Sequence, residues 1–327
     1  MRLLRNVFGV DESHRMFQAD VLHWKCFAPH PFWEGSRGYA LRYKGEMAAF
    51  VCLVPIRFLT LSGTVPGCNF IDWAASKAVP GAGIMLRRHI QGLIGTMINT
   101  GGTEDARQVL PKIGYQVRAE RHAYTRVVRP WRHFQGHRKD WKSPLRLARD
   151  YRELRRAARA GGHALKARRV DSFDGVPAEV FPDPLVTRQV VCARTAESLG
   201  YFLACPASKM EAYLLERDHT PAGYFLLSRV GFECRIADLW FRSADRQDWA
   251  EAYATATAAA RTDPHTTEVT AAACSPLETG ALEQSGYRPT HAEPVFVLDP
   301  DRRLGNRNDL DVSLLEDDGF YWSGDCG

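Results

Sequence analysis

The sequence lacks the features that most directly mark a membrane or secreted protein. It has no run of about eighteen apolar residues, which argues against a membrane-spanning helix. The stretch MRLLRNVFGVDESHR reaches Asp11 and Glu12 before any apolar region, unlike a signal peptide. The eight cysteines include no CxxC pair, so neither a zinc site nor a disulfide framework is expected. These absences predict a cytoplasmic protein with free thiols and no membrane partner.

Two common phosphate-binding motifs are also missing. The stretch VPGAG at residues 79–83 matches neither GxGxxG nor GK[ST], which argues against a dinucleotide-binding or Walker-type site. It nevertheless lies between a strand-like and a helix-like pattern. A glycine-bearing turn in that position can direct backbone N–H groups and a helix dipole at a phosphate, or it can be only a turn.

The composition of the 327 residues suits a globular protein of two moderate domains, with 45% hydrophobic and 25% charged residues. The net charge of +5 is unevenly distributed, because residues 118–169 contain 17 Lys and Arg against 4 Asp and Glu, a local net charge of +13. This basic segment predicts either a solvated amphipathic helix or a contact with an anionic partner, such as nucleic acid, through residues 126–169. In the amphipathic helix the core-facing residues would be Leu145, Leu147, Tyr151 and Leu154.

Local patterns predict the elements of the N-terminal part of the chain. Residues 38–59 predict two strands around a Lys-Gly-Glu turn, and residues 68–74 predict a third. The apolar positions after VPGAG predict a helix, and they are Ile84, Leu86, Ile90, Leu93, Ile94 and Met97. Thr103 is expected to cap a short helix, and a closing strand is expected through Tyr115 and Val117.

The C-terminal part of the chain repeats this order of elements. NFIDWA aligns with RIADLWF around Asp72 and Asp238, and Gly-Tyr pairs align at residues 114–115 and 286–287. Self-similarity over so long a period predicts an internal duplication. The second copy contains no glycine-bearing turn that matches VPGAG.

The strand, the glycine turn, the helix and the later KIGY resemble the GNAT superfamily of CoA-dependent acyltransferases over most of residues 20–125. The family's pyrophosphate loop reads (Gln/Arg)-x-x-Gly-x-(Gly/Ala); Gly81 and Gly83 match its small positions, and Ala78 replaces the Gln or Arg. The family's later pattern is Asn-x-x-Ala followed by Tyr-x-Lys-x-Gly-Phe. Its matching residues here are Ala106, Lys112, Gly114 and Tyr115, whereas Thr103 replaces the Asn and Leu110 replaces the first Tyr.

This resemblance implies an α/β (α+β) fold of two GNAT-like domains, each a mixed, mostly antiparallel sheet flanked by helices. The expected divisions are a CoA-binding domain at 1–125, a basic helical linker at 126–190, a second domain without the glycine loop at 191–300 and an acidic tail at 301–327. The expected co-substrate is acetyl-CoA or another acyl-CoA. The residues expected to contact it are Ala74, Val79, Pro80, Gly81, Ala82, Gly83, Ile84 and Thr103.

Acyl transfer to an amine needs a base for the ammonium proton and a proton donor for the leaving thiolate. The candidate catalytic residues are Asp72, Glu104, Tyr115 and Asp238. Asp72 follows the apolar Phe70 and Ile71, a setting that can raise the pKa of its carboxyl group, but it could equally cap the loop before the helix.

Three functions stay open from the sequence. The first is N-acylation of a small amine or amino sugar. The second is a Fem-type transfer from aminoacyl-tRNA, which the basic segment would suit. The third is a non-catalytic binding module with a duplicated GNAT-like fold, favoured by Ala78 and Leu110 in place of the family's residues.

Overall fold

The computed structural model describes residues 2–11, 14–136, 140–159, 165–305 and 309–322. In these ranges no helix is both long and apolar enough to cross a membrane. The elements up to residue 127 are α1 (Arg2–Phe8), α2 (Ala19–Cys26), β1 (Gly38–Tyr43), β2 (Glu46–Thr60), β3 (Gly63–Ala75), α3 (Ala82–Leu93), β4 (Thr96–Thr100), α4 (Glu104–Val109) and β5 (Gln116–Val127).

The later elements begin with a mixed segment and continue with a second set of strands and helices. The mixed segment comprises α5 (Pro130–Gly136), α6 (Ser143–Arg159), β6 (Lys166–Val170), α7 (Pro184–Thr187), β7 (Val191–Cys192) and α8 (Ala196–Leu203). The second set comprises β8 (Lys209–Arg217), β9 (Thr220–Val230), β10 (Glu233–Phe241), α9 (Arg246–Ala260), β11 (Glu268–Ala273), α10 (Pro276–Gln284) and β12 (Arg288–Leu298).

The strands form one sheet in the order β1-β2-β3-β4-β12-β5-β11-β10-β9-β8-β6, and β7 pairs with β2. Neighbouring strands are antiparallel except for two parallel pairs, β3 with β4 and β10 with β11. Each parallel pair is joined by a crossover helix, α3 or α9, as parallel strands require. We call residues 38–127 the first half and residues 209–298 the second half.

The last strands of the two halves are exchanged. β12 of the second half lies between β4 and β5, and β5 of the first half lies between β12 and β11. Main-chain hydrogen bonds therefore join the two halves through the middle of the sheet. The division into domains at residues 125 and 190 stays a prediction.

The predicted α/β fold class is confirmed, but one element was predicted wrongly. The helix expected to continue through Met97 ends at Leu93, and Thr96–Thr100 form β4, in which all five residues are buried. Gly92 and Gly95 disfavour a helix at this point, and the β-branched residues of β4 favour a strand.

The basic segment contains the expected helix, α6. Leu145 and Tyr151 are 66% and 41% exposed, so the prediction that both face the core is wrong. Residues 166–170 form β6 at the edge of the sheet, a strand that the basic pattern did not predict. Residues 137–139 and 160–164 of this segment lie outside the described residues.

The tail, by which we mean residues 310–322, packs against both halves of the sheet. Its Phe320 is buried. Asn69 of the first half donates from Nδ2 to the main-chain oxygen of Glu316 at 2.7 Å, and Ser228 of the second half donates to that of Phe320 at 2.6 Å. Residues 306–308 and 323–327 of the predicted acidic tail lie outside the described residues.

Candidate functional site

β3 and β4 separate at one end and leave a gap in the sheet. Their parallel pairing covers only Gly67–Asn69 against Thr96–Ile98. β3 also bulges near this point, because Asp72 and Trp73 together lie opposite Val51 of β2. A bulge bends and twists its strand, so β3 turns away from β4.

A cavity of about 780 Å³ lies at this gap. It is lined by residues of β3, β4, α4, β5, β10, β11 and β12 and by the tail. Because the strand exchange places β5 and β12 side by side, both halves line the same cavity. Its volume is in the range of small-molecule sites.

Asp72 lies at the wall of this cavity and has a left-handed φ of 54°. Lys25 of α2 donates from Nζ to its Oδ2 at 2.6 Å, and both side chains are 1% exposed. Burial on its own lowers the pKa of Lys25, but the carboxylate of Asp72 outweighs it and the pKa is raised. Asp72 and Lys25 therefore form a buried ion pair that fixes α2 to the bulge of β3.

Asp317 of the tail is held by several donors. Arg121 of β5 contacts both Asp317 and Glu293 of β12. Thr100 of β4 donates from Oγ1 to Asp317 at 2.8 Å, and the main-chain N–H of Gly319 donates to it at 2.6 Å. Burial alone would lower the pKa of Arg121, but the two carboxylates raise it. Asp317 thus anchors the tail in the cavity through its contacts with Arg121, Thr100 and Gly319.

Asp318 also lines the cavity but differs from its neighbour. Within the described part of the chain, no side chain donates a hydrogen bond to its carboxyl group. Burial, with the carboxylates of Asp317 and Asp72, raises the pKa of Asp318 to about 7, and the ammonium of Lys25 opposes this effect. Near neutral pH Asp318 can therefore either hold or release a proton.

The end of β4 contributes an unpaired polar atom and a tight turn. Asn99, which lines the cavity, is 5% exposed, and its Oδ1 accepts no hydrogen bond from the described residues. Gly101 and Gly102 follow with φ values of 67° and 86°. A Cβ atom at Gly101 would lie 2.7 Å from Oε2 of Glu293, so a side chain would collide with the cavity wall.

The glycine-bearing turn leads into α3 beside the gap. Gly81 is the exposed N-cap residue of α3, with φ 83° and no side-chain capping hydrogen bond. Gly83 is buried, and a Cβ atom there would lie 3.1 Å from both Ala75 and the indole nitrogen of Trp73. The two glycines thus serve different purposes: Gly81 forms the turn, and Gly83 lets α3 pack closely on β3.

The other residues of the predicted loop site surround this turn. Ala74 and Ala82 are buried, Val79 and Ile84 are half-buried, and Pro80 is exposed. Thr103 is the N-cap of α4, since it accepts a hydrogen bond from Ala106 N at 3.3 Å. Of the predicted site residues, the cavity brings together Asp72 and Thr103.

Three predicted catalytic residues lie elsewhere. Glu104 is exposed and accepts a hydrogen bond from its own helix. Tyr115 is buried beside Arg87, and burial raises its pKa to about 12 although Arg87 opposes this. Asp238 is held by Arg194 at 2.9 Å in the second half. The catalytic roles expected for these three residues stay predictions.

The sequence did not indicate four polar residues that line the cavity: Asn99, Arg121, Asp317 and Asp318. One signal could have pointed to the two aspartates. They lie in the stretch LLEDDGFYW, where apolar residues on both sides favour burial of the acidic group between them.

No protein-family model and no curated protein matches the sequence. Solved structures do resemble this one. A GCN5-related N-acetyltransferase from Anabaena variabilis has 12% identity over 90% of this chain and 68% of that chain, with a TM-score of 0.58. A probable N-acyltransferase from Enterococcus faecalis has 11% identity over 91% of this chain and 69% of that chain, with a TM-score of 0.54.

A third similar structure is the N-myristoyltransferase of Saccharomyces cerevisiae with bound myristoyl-CoA. It has 12% identity over 91% of this chain and 79% of that chain, with a TM-score of 0.56. At these identities the likeness concerns the fold. The present chain therefore has the GNAT fold, as the glycine turn and the later KIGY stretch predicted.

Proposed function

We propose that this protein transfers an acyl group from acyl-CoA to the nitrogen of a small amine or amino sugar. The main support for the proposal is the gap between β3 and β4, which opens into a cavity lined with carboxylates. The fold in which this gap lies is shared with solved N-acyltransferase structures. Beyond Asn69 the main chain of β3 has no pairing with β4. A main-chain N–H group in such a gap can donate to a thioester oxygen as negative charge develops on it.

The start of α3 suits the diphosphate of CoA. Gly81 provides no side-chain cap, and among the described residues no atom beyond its chain neighbours lies within 4 Å of the position of a Cβ. The N–H of Ala82 donates to the main-chain oxygen of Val79 at 3.2 Å, but no side chain caps the N–H groups of Gly83 and Ile84, and the helix dipole favours an anion there. Residues 79–84 would hold the diphosphate, and CoA would supply the activated acyl group.

In this proposal Asp318 accepts the proton of the acceptor ammonium. Asp72, the residue expected from the sequence, is occupied by the ammonium of Lys25 at 2.6 Å. Asp318 lines the same cavity without a side-chain donor among the described residues. A base whose pKa of about 7 matches the working pH is well suited to proton transfer.

The steps balance without a further reactant. Asp318 takes one proton from the ammonium and leaves a neutral amine. The amine nitrogen attacks the thioester carbon, the C–S bond breaks, and an amide and the CoA thiolate form. The nitrogen loses its second proton as the amide forms, the thiolate takes up that proton to give the CoA thiol, and Asp318 releases its own proton to solvent.

Calorimetric titration of the full chain with CoA and acetyl-CoA tests the proposal. Gly81→Asp places a carboxylate at the start of α3, so we expect it to weaken CoA binding at least about tenfold, because repulsion replaces attraction at the helix start. Gly175→Asp is the matched control, since Gly175 also has a positive φ (74°) and open space around it. We expect the control to bind CoA as the unaltered protein does.

The outcomes separate the functions that the sequence left open. Absence of binding to every CoA species contradicts the proposal. CoA binding without acyl transfer to any amine favours the non-catalytic binding module. Salt-sensitive binding of tRNA, abolished by removing exposed arginines of α6, favours transfer from aminoacyl-tRNA.

A further inference from the structure

Two buried thiols are in contact behind the wall of the cavity. The Sγ atom of Cys26, the last residue of α2, lies 3.6 Å from the Sγ atom of Cys52 on β2. Both residues are free thiols, and they are only 3% and 0% exposed. Among the described residues they are the only two cysteines whose sulfurs share a hydrogen bond. The fold thus places one pair of thiols side by side.

Main-chain hydrogen bonds hold the two cysteines together. Arg37 N donates to the main-chain oxygen of Cys26 at 2.8 Å, and Leu53 N donates to that of Arg37 at 2.9 Å. The end of α2 is therefore joined to β2 beside Cys52, whose thiol donates to the main-chain oxygen of Lys25 at 3.5 Å. The sulfurs are about 1.5 Å farther apart than in a disulfide, whose S–S bond is about 2.05 Å. A small movement is enough to close that distance.

The pair lies directly behind the candidate site. Lys25, the neighbour of Cys26, forms the buried ion pair with Asp72. Ile71, the neighbour of Asp72, lies opposite Cys52 in the ladder of β2 and β3, and it lines the cavity. A bond between the two sulfurs would therefore tie α2 to the sheet next to the cavity wall.

Cys26 lies near the edge of the sheet. Gly38, a half-buried residue of the edge strand β1, lies against its sulfur, since a Cβ atom at Gly38 would be 2.9 Å from Sγ of Cys26. Residues 34–36, which lead into β1, are exposed. Local opening at an edge needs less free energy than unfolding of the core. An oxidant as small as hydrogen peroxide can reach Cys26 by such an opening.

The two thiols differ in how readily they lose a proton. The pKa of Cys26 is lowered, chiefly by its hydrogen bond with Cys52 and also by the charge of Lys25, whereas burial opposes this effect. The pKa of Cys52 is raised by the same hydrogen bond and by burial. Because the thiolate is the form that attacks an oxidant, Cys26 is the thiol that reacts first.

We propose that Cys26 and Cys52 form a redox site that small peroxides oxidise to a reversible disulfide. The sulfur of Cys26 attacks an oxygen of hydrogen peroxide, the O–O bond breaks, and a sulfenic acid and one water form. The sulfur of Cys52 then attacks the sulfur of Cys26, the S–O bond breaks, and the disulfide and a second water form. The two waters carry the two thiol protons. A dithiol restores both thiols by thiol–disulfide exchange.

The test treats the full folded chain with hydrogen peroxide, alkylates the remaining thiols after unfolding, and maps the cross-linked peptides by mass spectrometry. We expect a disulfide that joins Cys26 to Cys52, and recovery of both thiols after treatment with dithiothreitol. Both thiols should be lost at least about tenfold faster than the thiol of Cys234, which is 0% exposed and shares no hydrogen bond with another cysteine of the described chain. Cys234→Ser is the matched control and should keep the disulfide.

Two further variants separate the roles of the pair. Cys52→Ser should leave Cys26 as a sulfenic acid that dimedone traps, whereas Cys26→Ser should leave Cys52 reduced at the same peroxide concentration. Equal trapping of the two cysteines would overturn the order of attack.

The peptide map of the unaltered protein decides the main point even if a variant fails to fold. Loss of both thiols no faster than that of Cys234 overturns the inference. Disulfides spread over several cysteines also overturn it, because they indicate oxidation of an unfolded chain.

Discussion

The two halves of the sheet are alike in their strands and differ where their crossover helices begin. In each half a bulged strand carries a buried aspartate that pairs with a cation, Asp72 with Lys25 and Asp238 with Arg194. In each half the parallel strands pair over three residues and then separate. The backbone therefore offers the same gap twice.

The helix starts explain why we assign CoA binding to the first half. α3 begins at Gly81, which gives its N–H groups no side-chain acceptor. α9 begins at Asp245, whose carboxylate accepts a hydrogen bond from Gln247 N at 2.8 Å. A carboxylate at an N-cap already satisfies the helix start and repels a second anion.

The gaps also differ in what fills them. In the second half, Tyr253 and Glu278 lie around Asp238 together with Asp311 of the tail, and the space between them is only about 30 Å³, against about 780 Å³ at the gap of the first half. Burial raises the pKa values of Glu278 and Asp311, because the loss of solvent disfavours the charged form of each carboxyl group. The comparison supports the proposal that CoA binds at the first half, and the difference lies in the side chains at the helix start and in the gap rather than in the strands.

The largest expected effect comes from removing Arg194, the cation that pairs with Asp238 of the second half. A guanidinium nitrogen of Arg194 lies 2.9 Å from Asp238 and another lies 2.7 Å from Glu316. Arg194→Met therefore leaves two buried carboxylates without this cationic partner. Lys25→Met leaves only Asp72. Removing one partner of a buried ion pair lowers the free energy of unfolding by roughly 3–5 kcal/mol. We expect the loss for Lys25→Met to lie in that range and the loss for Arg194→Met to lie at its upper end or above.

Urea unfolding measures both values. Arg168→Met is the control, because Arg168 forms a pair whose arginine side chain is 55% exposed, for which we expect a loss below about 1 kcal/mol. A smaller loss of stability for Arg194→Met than for Lys25→Met would contradict the expectation that a cation shared by two buried carboxylates contributes more than a cation paired with one.

The second expected effect concerns the carboxylate that the tail brings to the first half. Asp318→Asn removes the proposed base, so we expect kcat/KM for acyl transfer at pH 8 to fall about 100-fold. In the unaltered protein the rate should rise with pH through an inflection near 7, because Asp318 must lose its proton before it can accept one from the ammonium. The variant should lack this inflection.

Asp72→Asn distinguishes the two aspartates. The carboxylates of Asp72 and Asp317 help to raise the pKa of Asp318, and Lys25 lowers it. Without the charge of Asp72, the cation of Lys25 acts on Asp318 with less opposition, so the inflection should move to lower pH and persist. Loss of the inflection in Asp72→Asn, with retention in Asp318→Asn, would make Asp72 the base.

Local patterns in the sequence could predict most elements but not how distant strands pair. The Gly-Tyr pairs at 114–115 and 286–287 indicate where β5 and β12 begin, and both strands are present. Their exchange was not predictable, because the alternation of side chains determines which face of a strand is buried and not which strand is its neighbour. β4 was missed because TMINT is a short apolar run, which periodicity cannot distinguish from the end of a helix.

In the candidate site, too, the residues with local sequence signals could be predicted and those brought in by distant packing could not. The glycine turn and Asp72 could be predicted because their signals lie within a few residues of one strand. Asp318 could not, because it lies about 245 residues from Asp72 and reaches the cavity only after the tail has packed against both halves. Its pKa near 7 is a property of that packing and of neighbouring charges.

The smallest expected effect tests the helix start of the second half. Asp245→Ala removes the acceptor for Gln247 N and should lower the free energy of unfolding by about 1 kcal/mol, a usual loss for an N-cap residue. It should leave the calorimetric affinity for CoA unchanged, because the proposed CoA site lies at α3. If Asp245→Ala instead altered CoA affinity as strongly as Gly81→Asp does, the second half would take part in binding. The contrast between an open and a self-capped helix start would then not explain where CoA binds.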